Sequence, residues 1–478
     1  MKAYRFIDLF CGGGGSITGE IAALKAAGLK YEGRGFNHWD MAIRTIQANH
    51  PELVPDFERA CADIAEVSGH PQSVFDDDPT RLDLLWASPS CTHHSNAAGG
   101  TPRSEQLRSQ PEHLLPLLRL TKCRRMFVEN VKELLQWGPL LDRGTWYKGR
   151  FYRAGQANPR RRGRFFNDWL RDVKDSGYRV EYEILNAANY GAATSRERLI
   201  IQAVRKSSGE KIIWPEPTHS RIPIYGRPWR SAAEIIDWSI PGESIFDRKK
   251  PLCENTLRRI EAGIKKYWGK WAKPFLIILR GTGNTQLNST AVPLSAPLPT
   301  ITAGGGHIAL ITPFLTRYNG GENRNHGVDS PVPVIDCSNR YSLISPLFIP
   351  QHSGGTVKPC AANPLPTVAT TGSIGIVLPF LTAYYGNGFT VPVTSPTPTI
   401  STRDRFGLVQ GRILTLPDGQ RYKLDITHRM LTARELAAAT GFPDDYVFVG
   451  GDTAAKKMIG NAVCPDLAKA LILATLAA

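Results

Sequence analysis

The chain has 478 residues, of which 42% are hydrophobic, and it carries 58 Lys and Arg residues against 43 Asp and Glu residues, a net charge of +15. This length suggests two or three domains, and the basic balance favours a polyanionic partner such as a nucleic acid. The sequence has no apolar stretch of about 18 residues and no signal-like N-terminus, so we expect neither a membrane span nor secretion. The eight cysteines are scattered without a Cys-x-x-Cys pair, which predicts reduced thiols in a cytoplasmic protein and no metal site.

The first 205 residues alternate short apolar strands with helices. A strand over residues 4–10 leads into the glycine run Cys11–Gly15 and then a helix over residues 17–27. Such a turn lets the backbone approach a ligand, and the helix N-terminus favours negative charge. The unbroken glycines do not fit the dinucleotide pattern G-x-G-x-x-G, which leaves other adenosine-bearing cofactors open. The continued alternation predicts an α/β fold with a doubly wound, mostly parallel sheet.

Further along this domain, several side chains stand where a predicted strand or short unit ends. Trp39 follows a strand over residues 31–36 and could stack on a purine ring or be a half-buried core residue. Asp63 ends a third unit and could accept a hydrogen bond from an exocyclic amine.

Cys91 follows a buried strand over residues 84–87, and Glu129 follows another over residues 126–128. Ligands of open α/β sheets bind at the carboxyl ends of the strands. By position alone, however, Cys91 is more often a small packed thiol than a nucleophile.

A basic loop with interleaved aromatic residues occupies residues 143–164. We interpret it as a contact with the nucleic-acid backbone rather than a solvated loop, with Arg150, Arg161 and Arg162 as its candidate DNA-binding residues.

Composition changes after Lys206, where Pro, Gly and Thr accumulate and helical periodicity largely vanishes, apart from residues 255–267. Segments that begin at Pro297, Pro331, Pro364 and Pro396 recur at spacings of 34, 33 and 32 residues. Such a repeat indicates an array of short strands. Helical character returns over residues 432–439 and 465–476. We therefore expect three parts: a catalytic domain over 1–205, a target-recognition region over 206–425, and a C-terminal segment over 426–478 that completes the first.

Seven stretches in this order resemble the DNA (cytosine-5) methyltransferase family, over residues 4–205 and 425–478. They are Asp8–Gly15, Asp63, Ser88–Cys91, Glu129–Val131, Arg196–Arg198, Arg434–Glu435 with Gly441–Pro443, and Ile459–Val463. The chain departs from the family at three places. Ser90 and Thr92 flank the cysteine where the family has Pro and Gln, Asn37 or His38 stands where a ribose-binding Glu is usual, and Thr194 replaces a Gln.

The resemblance implies a class I S-adenosylmethionine-dependent methyltransferase that modifies carbon 5 of a cytosine flipped out of duplex DNA, in restriction-modification or in the protection of host or phage DNA. It implies a monomer without a metal. The implied catalytic residues are Cys91, Glu129, Arg196 and Arg198. The implied cofactor-binding residues are Asp8, Phe10, Gly12, Gly14, Trp39, Asp63, Ile64, Pro89, Asn461 and Val463. Ser95 and Arg103 join the three loop arginines as implied DNA-binding residues.

Three alternatives stand beside this interpretation. An RNA cytosine-5 methyltransferase would share the fold, although the large insert favours readout of a DNA sequence. A non-catalytic DNA-binding regulator would not need both Cys91 and Glu129. A nicotinamide dehydrogenase fits poorly, because the glycines are continuous and the ribose-binding acid is missing.

Overall fold

The computed structural model describes residues 2–69, 75, 78, 80–90, 109–222, 226–237, 239–240, 243–245, 248–252, 257, 260, 275–278, 289–300, 308–316, 325–327, 380–383, 390–392, 406–409, 413–415, 421–423 and 425–477. The chain divides into two compact units. Unit 1 contains residues 1–236, 295–305 and 432–478, and unit 2 contains residues 237–294 and 306–431. Unit 1 therefore extends 31 residues past the predicted boundary at 205 and takes up residues 295–305 as well.

Unit 1 is built on a six-stranded sheet in the order β2-β1-β3-β4-β8-β7. The strands are β1 Tyr4–Leu9, β2 Tyr31–Phe36, β3 Leu84–Ala87, β4 Arg125–Asn130, β7 Tyr178–Asn186 and β8 Glu197–Arg205. The first four are parallel, whereas β8 runs antiparallel to both of its neighbours. The fold is thus the predicted α/β class with a mostly parallel sheet. The central strands are wholly buried because helices cover both of their faces.

Nine α-helices are described in unit 1. They are α1 Gly15–Ala26, α2 Asp40–Asn49, α3 Phe57–Ala60, α4 Ile64–Gly69, α5 Leu114–Thr121, α6 Arg164–Asp175, α7 Ala433–Thr440, α8 Asp452–Asn461 and α9 Pro465–Leu476. Of these, α1, α7 and α9 match the helices predicted over residues 17–27, 432–439 and 465–476 to within about two residues. In α6, Phe166, Trp169, Leu170 and Val173 form one buried stripe at helical spacing. Helix α8 was not predicted from the sequence pattern.

Two short pairs of strands lie outside this sheet in unit 1. The strands β5 Thr145–Tyr147 and β6 Arg150–Tyr152 form a hairpin inside the predicted basic loop, and β9 His219–Ser220 pairs with β10 Arg227–Pro228. The hairpin turn is made by Lys148 and Gly149, whose φ angles of 48° and 75° suit a tight two-residue turn.

The C-terminal segment supplies a face of unit 1. Helix α9 packs against α1, and its residues Leu467, Leu471 and Ile472 join the same buried cluster as Ile17 and Ile21. By length and composition the stretch Asp452–Leu476 could cross a membrane, the one such stretch found in the part of the chain described here. Core helices pass the same test, and 56% of its most apolar window is buried inside the protein.

Unit 2 is described only in short stretches; Leu257 and Ile260 are helical, and the elements whose bounds are described are strands. They are β11 Glu243–Ser244, β12 Phe275–Ile278, β13 Ala291–Pro293, β14 Ile308–Thr316, β15 Asn325–Gly327, β16 Phe380–Ala383, β17 Thr390–Pro392, β18 Phe406–Val409, β19 Ile413–Thr415, β20 Arg421–Lys423 and β21 Asp425–Met430. Strands β11, β21, β14, β12 and β13 form one sheet, with β15 paired to β14. Most of the predicted repeat and of the helix over 255–267 lies outside the described residues.

Candidate functional site

A cleft of about 280 Å³ opens at the carboxyl ends of the parallel strands, where β1, β3 and β4 stop side by side. Nine of the candidate site residues line it: Phe10, Gly12, Trp39, Pro89, Glu129, Arg196, Arg198, Asn461 and Val463. The remaining lining residues were not singled out from the sequence as site residues: Cys11, Ser16, Asn37, His38, Ser88, Ser90, Gln110, Lys457, Met458 and Ala462. Residues from both ends of the chain therefore meet in one cleft.

The glycine run has two separate roles. Gly12 has a φ of 52°, and a Cβ built there would meet only the Phe10 carbonyl oxygen, at 3.9 Å, so its cleft-facing side is open. At Gly13 a Cβ would lie 2.8 Å from the Met458 Cβ, and at Gly14 it would collide with the Tyr446 hydroxyl. The first glycine thus leaves room for a ligand, whereas the next ones let the C-terminal segment approach.

The backbone at this turn is strained at the residue that precedes the glycine run. Phe10 has a φ of 58°, a left-handed conformation that side chains other than glycine rarely adopt. Helix α1 then begins without an acidic residue in its first turn. Its free N–H groups and dipole favour a negatively charged ligand group in the cleft.

Asp8 lies beneath the turn and does not line the cleft. It is fully buried, and the Ser16 hydroxyl donates a hydrogen bond to its Oδ2. The pKa of Asp8 is raised from 3.8 to about 8, chiefly by burial, while the Ser16 hydrogen bond lowers it and the nearby charge of Glu129 raises it. Glu20, also buried, has its pKa raised well above the usual range by burial and by Asp8. Asp8 therefore supports the turn from below.

The segment after β2 lines the opposite wall with Asn37, His38 and Trp39. The Asn37 side chain accepts a hydrogen bond from the Trp39 backbone N–H at 2.9 Å, which fixes the turn. The Trp39 ring is half-buried, and the Lys457 ammonium lies 4.1 Å from its centroid. This wall has an aromatic face and amide and imidazole groups, but no carboxylate.

Asp63 and Ile64 are not among the residues that line the cleft. Asp63 is exposed, and its carboxylate accepts the Ala65 N–H at 2.8 Å at the start of α4, while Ile64 packs in the core with 2% exposure. Helix capping and packing thus account for both residues in this structure.

Glu129 and Arg198 form the charged centre of the cleft. Arg198 Nε lies 2.8 Å from Glu129 Oε1, and the side chains are only 10% and 6% exposed. No hydrogen bond among the described residues reaches this oxygen, because the donor and acceptor are not aligned. Arg196 is buried in turn, and its Nη1 donates to the Gly460 carbonyl at 3.0 Å. The cleft therefore holds a neutralised ion pair with spare hydrogen-bonding capacity.

Two side chains hold the rim that leads to Cys91. Asn130 donates to the Pro89 carbonyl oxygen at 2.9 Å, and Gln110 Oε1 accepts the Ser90 backbone N–H at 2.8 Å. Cys91, Ser95 and Arg103 themselves lie outside the described residues. Only the placement of Pro89 and Ser90 locates the start of their loop, at the edge of the cleft.

The three loop arginines are brought together, but not in the cleft. Arg150 lies on the β5–β6 hairpin, and Arg161 and Arg162 lie where the chain returns from it; all three are exposed. Within the described part of the chain there is no group of three His, Cys, Asp or Glu side chains that could hold a metal ion.

Comparison with known proteins gives consistent matches. The family model for C-5 cytosine-specific DNA methylases matches residues 156–243 and 392–476. The Type II methyltransferase M.HgiCII of Herpetosiphon aurantiacus is 24% identical to the chain over 98% of the chain and 96% of its own length. The DNA (cytosine-5)-methyltransferase 1A of Oryza sativa subsp. japonica is 23% identical over 97% of the chain, which spans only 28% of that larger enzyme.

A solved structure of a DNA modification methyltransferase encoded within an E. coli prophage aligns over the whole of both chains, with 13% identity and a TM-score of 0.47.

Proposed function

We propose that the chain, whose residues 156–243 and 392–476 match the family model for C-5 cytosine-specific DNA methylases, transfers a methyl group from S-adenosylmethionine in its cleft to carbon 5 of a cytosine turned out of duplex DNA. The observation that carries the proposal is the buried Glu129–Arg198 pair. It lies beside the rim that leads to Cys91, and Glu129 Oε1 has no hydrogen-bond partner among the described residues. A cytosine ring offers complementary groups at N3, at the 4-amino group and at O2.

The donor set of the cleft suits S-adenosylmethionine. The start of α1 favours the carboxylate of its methionine part, the Trp39 ring offers a stacking face for adenine, and the open side of Gly12 leaves space beside the backbone. Asn37 and His38 would serve the ribose in place of a carboxylate, and Asn461 and Val463 would close the other wall. When bound, this cofactor supplies an electrophilic methyl group.

The chain's own residues activate the cytosine. Carbon 5 is a poor nucleophile, so the Cys91 thiolate first forms a bond to carbon 6. The electron pair of the C5–C6 double bond is then available at carbon 5, while negative charge develops toward N3 and O2. Glu129, once it takes up a proton from solvent as the base replaces Arg198 beside it, donates that proton to N3, and Arg198 stabilises charge at O2, with Arg196 supporting that arm of the cleft. Once carbon 5 carries the methyl group, water takes up the carbon 5 proton and the N3 proton returns to Glu129, so that the C5–C6 double bond is restored and Cys91 leaves as a thiolate.

The base must leave the helix before this chemistry, at a cost of a few kcal/mol. We propose that DNA contacts come from Ser95 and Arg103 on the loop that carries Cys91, and from Arg150, Arg161 and Arg162. Unit 2 would read the target sequence. A Type II methyltransferase is among the bacterial relatives, and we propose that this chain likewise protects host or phage DNA. We also propose that it acts as a monomer in the bacterial cytoplasm.

The test is methyl transfer from labelled S-adenosylmethionine to duplex DNA and to tRNA, with bisulfite sequencing of cellular DNA to find the target. We expect label in DNA at one sequence. Cys91→Ala should abolish transfer and the covalent adduct with 5-fluorocytosine DNA, while DNA binding persists.

Glu129→Gln should lower kcat by roughly 100-fold or more, whereas Glu197→Gln, which changes an exposed carboxylate next to the site, should retain activity. Label confined to RNA, or turnover by Cys91→Ala, would overturn the proposal.

A further inference from the structure

The β5–β6 hairpin is the tip of an ordered arm that leaves the sheet between β4 and α6. Residues 138–163 run out and back as a ladder, with the Leu141 N–H bonded to the Gln156 carbonyl at 2.9 Å and the Asn158 N–H bonded to the Pro139 carbonyl at 2.9 Å. At its base Trp137 is buried, with 1% exposure. The arm is therefore a built projection rather than a loose loop.

The arm stands at the edge of the sheet that carries the cleft. It starts eight residues after Asn130, whose side chain holds the Pro89 carbonyl at the cleft rim. The C-terminal half of the arm leads into α6, which crosses the sheet and has Ser176 as its C-cap. The Ser176 hydroxyl accepts a hydrogen bond from Arg119, at the end of α5. The N-terminus of α6 and the arm thus lie on the side of the strands' carboxyl ends.

The two faces of the hairpin differ in chemistry. Trp146 and Phe151 are a cross-strand pair whose ring centroids are 5.5 Å apart, and they remain 66% and 48% exposed. On the other face, Tyr147 and Tyr152 lie under cations. Lys148 and Arg160 stack on Tyr147 at 5.7 and 5.9 Å, and Arg150 and Arg162 stack on Tyr152 at 5.5 and 6.0 Å.

The arm carries a large excess of basic residues, which indicates a polyanionic partner. Between Gly138 and Gly163 the only acidic residue is Asp142, against the basic residues Arg143, Lys148, Arg150, Arg153, Arg160, Arg161 and Arg162. None of these cations forms an ion pair within the part of the chain described, and all are exposed. Uncompensated cations around an exposed aromatic pair match a nucleic acid, which offers phosphates and base faces together.

We propose that the arm grips the DNA duplex next to the extruded base. Trp146 and Phe151 pack against base faces that extrusion leaves unstacked, while the surrounding cations bind phosphates. The inference rests on the proposed function, because only an enzyme that turns out a base creates such faces. Trp146 and Phe151 would then add affinity without reading sequence, since every base has an aromatic face.

The test measures binding to two fluorescein-labelled duplexes of equal length, one fully paired and one with a central bulged base. The variant Trp146→Val with Phe151→Val keeps strand-forming side chains and an apolar pair, but removes the aromatic faces. We expect roughly tenfold weaker binding to the bulged duplex and a smaller decrease on the paired one. The variant with Tyr at both positions should restore affinity. Tyr182→Val, at a 45% exposed aromatic residue on the edge strand β7, is the matched control and should bind normally.

The cations have their own readout. Arg150→Ala with Arg162→Ala should reduce the slope of log affinity against log salt by about one for each phosphate that the arm no longer neutralises. Lys174→Ala, an exposed cation at the far end of α6, should leave the slope unchanged. These experiments measure DNA affinity and not methyl transfer. They therefore test the role of the arm even if the wild-type chain does not methylate DNA.

Several results would overturn the inference. Unchanged affinity of the valine variant, or an equal decrease in the tyrosine variant, would mean that the pair only packs the hairpin. If the valine variant lost affinity for an RNA hairpin but bound both DNA duplexes as tightly as the wild type does, the arm would be assigned to RNA. If sedimentation showed the wild type to be a dimer and the valine variant a monomer, Trp146 and Phe151 would be assigned to self-association.

Discussion

Gln110 holds the backbone immediately before Cys91, the proposed nucleophile. Its Oε1 accepts the backbone N–H of Ser90, the residue before Cys91, at 2.8 Å. Asn130 holds the preceding Pro89 carbonyl from the other side at 2.9 Å. Together they fix the backbone at the point where the loop of the proposed nucleophile begins, and small misplacements of a nucleophile are costly.

We therefore expect Gln110→Ala to lower kcat by about tenfold, with little change in the Kd for DNA or cofactor. Gln110→Glu keeps the accepting oxygen and should recover much of the rate. Gln47→Ala, on the exposed face of α2, is the control. An equal loss of DNA affinity in Gln110→Ala would show that the residue binds substrate instead.

Asp8 makes the stability of unit 1 depend on pH. Its pKa is raised by burial from 3.8 to about 8, so between these values the folded chain holds a proton that the unfolded chain has lost. Stability then falls as pH rises across this window, by up to about 1.4 kcal/mol per pH unit for one such group.

Asp8→Asn should flatten this dependence, because the amide does not ionise yet can still accept the Ser16 hydrogen bond. Thermal unfolding at pH 6 and pH 8 measures it: the wild type should lose more in Tm between the two than the variant does. An equal decrease in Tm in both proteins would show that Asp8 does not cause the pH dependence and would point to the buried Glu20.

At the scale of elements, the packing of α9 on α1 depends on a missing side chain. A Cβ at Gly19 would lie 2.6 Å from Ala468 Cβ and 2.9 Å from the Lys469 backbone nitrogen, and would collide with the Pro465 carbonyl. Since the obstacles include backbone atoms, the helices would have to move apart.

Gly19→Ala should destabilise unit 1 although alanine favours helix formation. Overpacking costs about 1–3 kcal/mol, and the gain in helix propensity of about 1 kcal/mol offsets part of it. A Tm lower by roughly 2–4 °C is expected for a domain of this size. Gly69→Ala, in α4 with no atom within 4 Å of the added Cβ, should not lower the Tm, and a matching fall there would refute this account.

At the scale of the whole molecule, the cleft is assembled from the two ends of the chain. The Tyr446 hydroxyl donates to the Gly13 carbonyl at 2.7 Å, and Arg196 reaches Gly460 across 264 positions in sequence. The C-terminal segment also contributes Lys457, Asn461 and Val463 to the cleft wall. Unit 1 is therefore complete only when residues 432–478 return to the sheet, however long the insert between them.

The sequence by itself determined the elements and the edge of the sheet at which the cleft lies. Apolar runs specify buried strands, helical stripes such as that of α6 specify amphipathic helices, and polar residues at the end of an apolar run, such as Ser88 and Glu129, mark the carboxyl end of a strand. These are local signals, readable within about ten residues, and the predicted strands of unit 1 follow them closely.

Only the tertiary structure decided which of those residues meet. Asp63 caps its own helix and Asp8 lies under the turn, while Gln110 and Lys457 line the cleft without any local pattern that marks them. Likewise, no periodicity foretells that β8 runs antiparallel or that Gly13 and Gly14 pack closely against the C-terminal segment. These outcomes depend on contacts between segments far apart in the chain, where packing and desolvation, not local propensity, set the free energy.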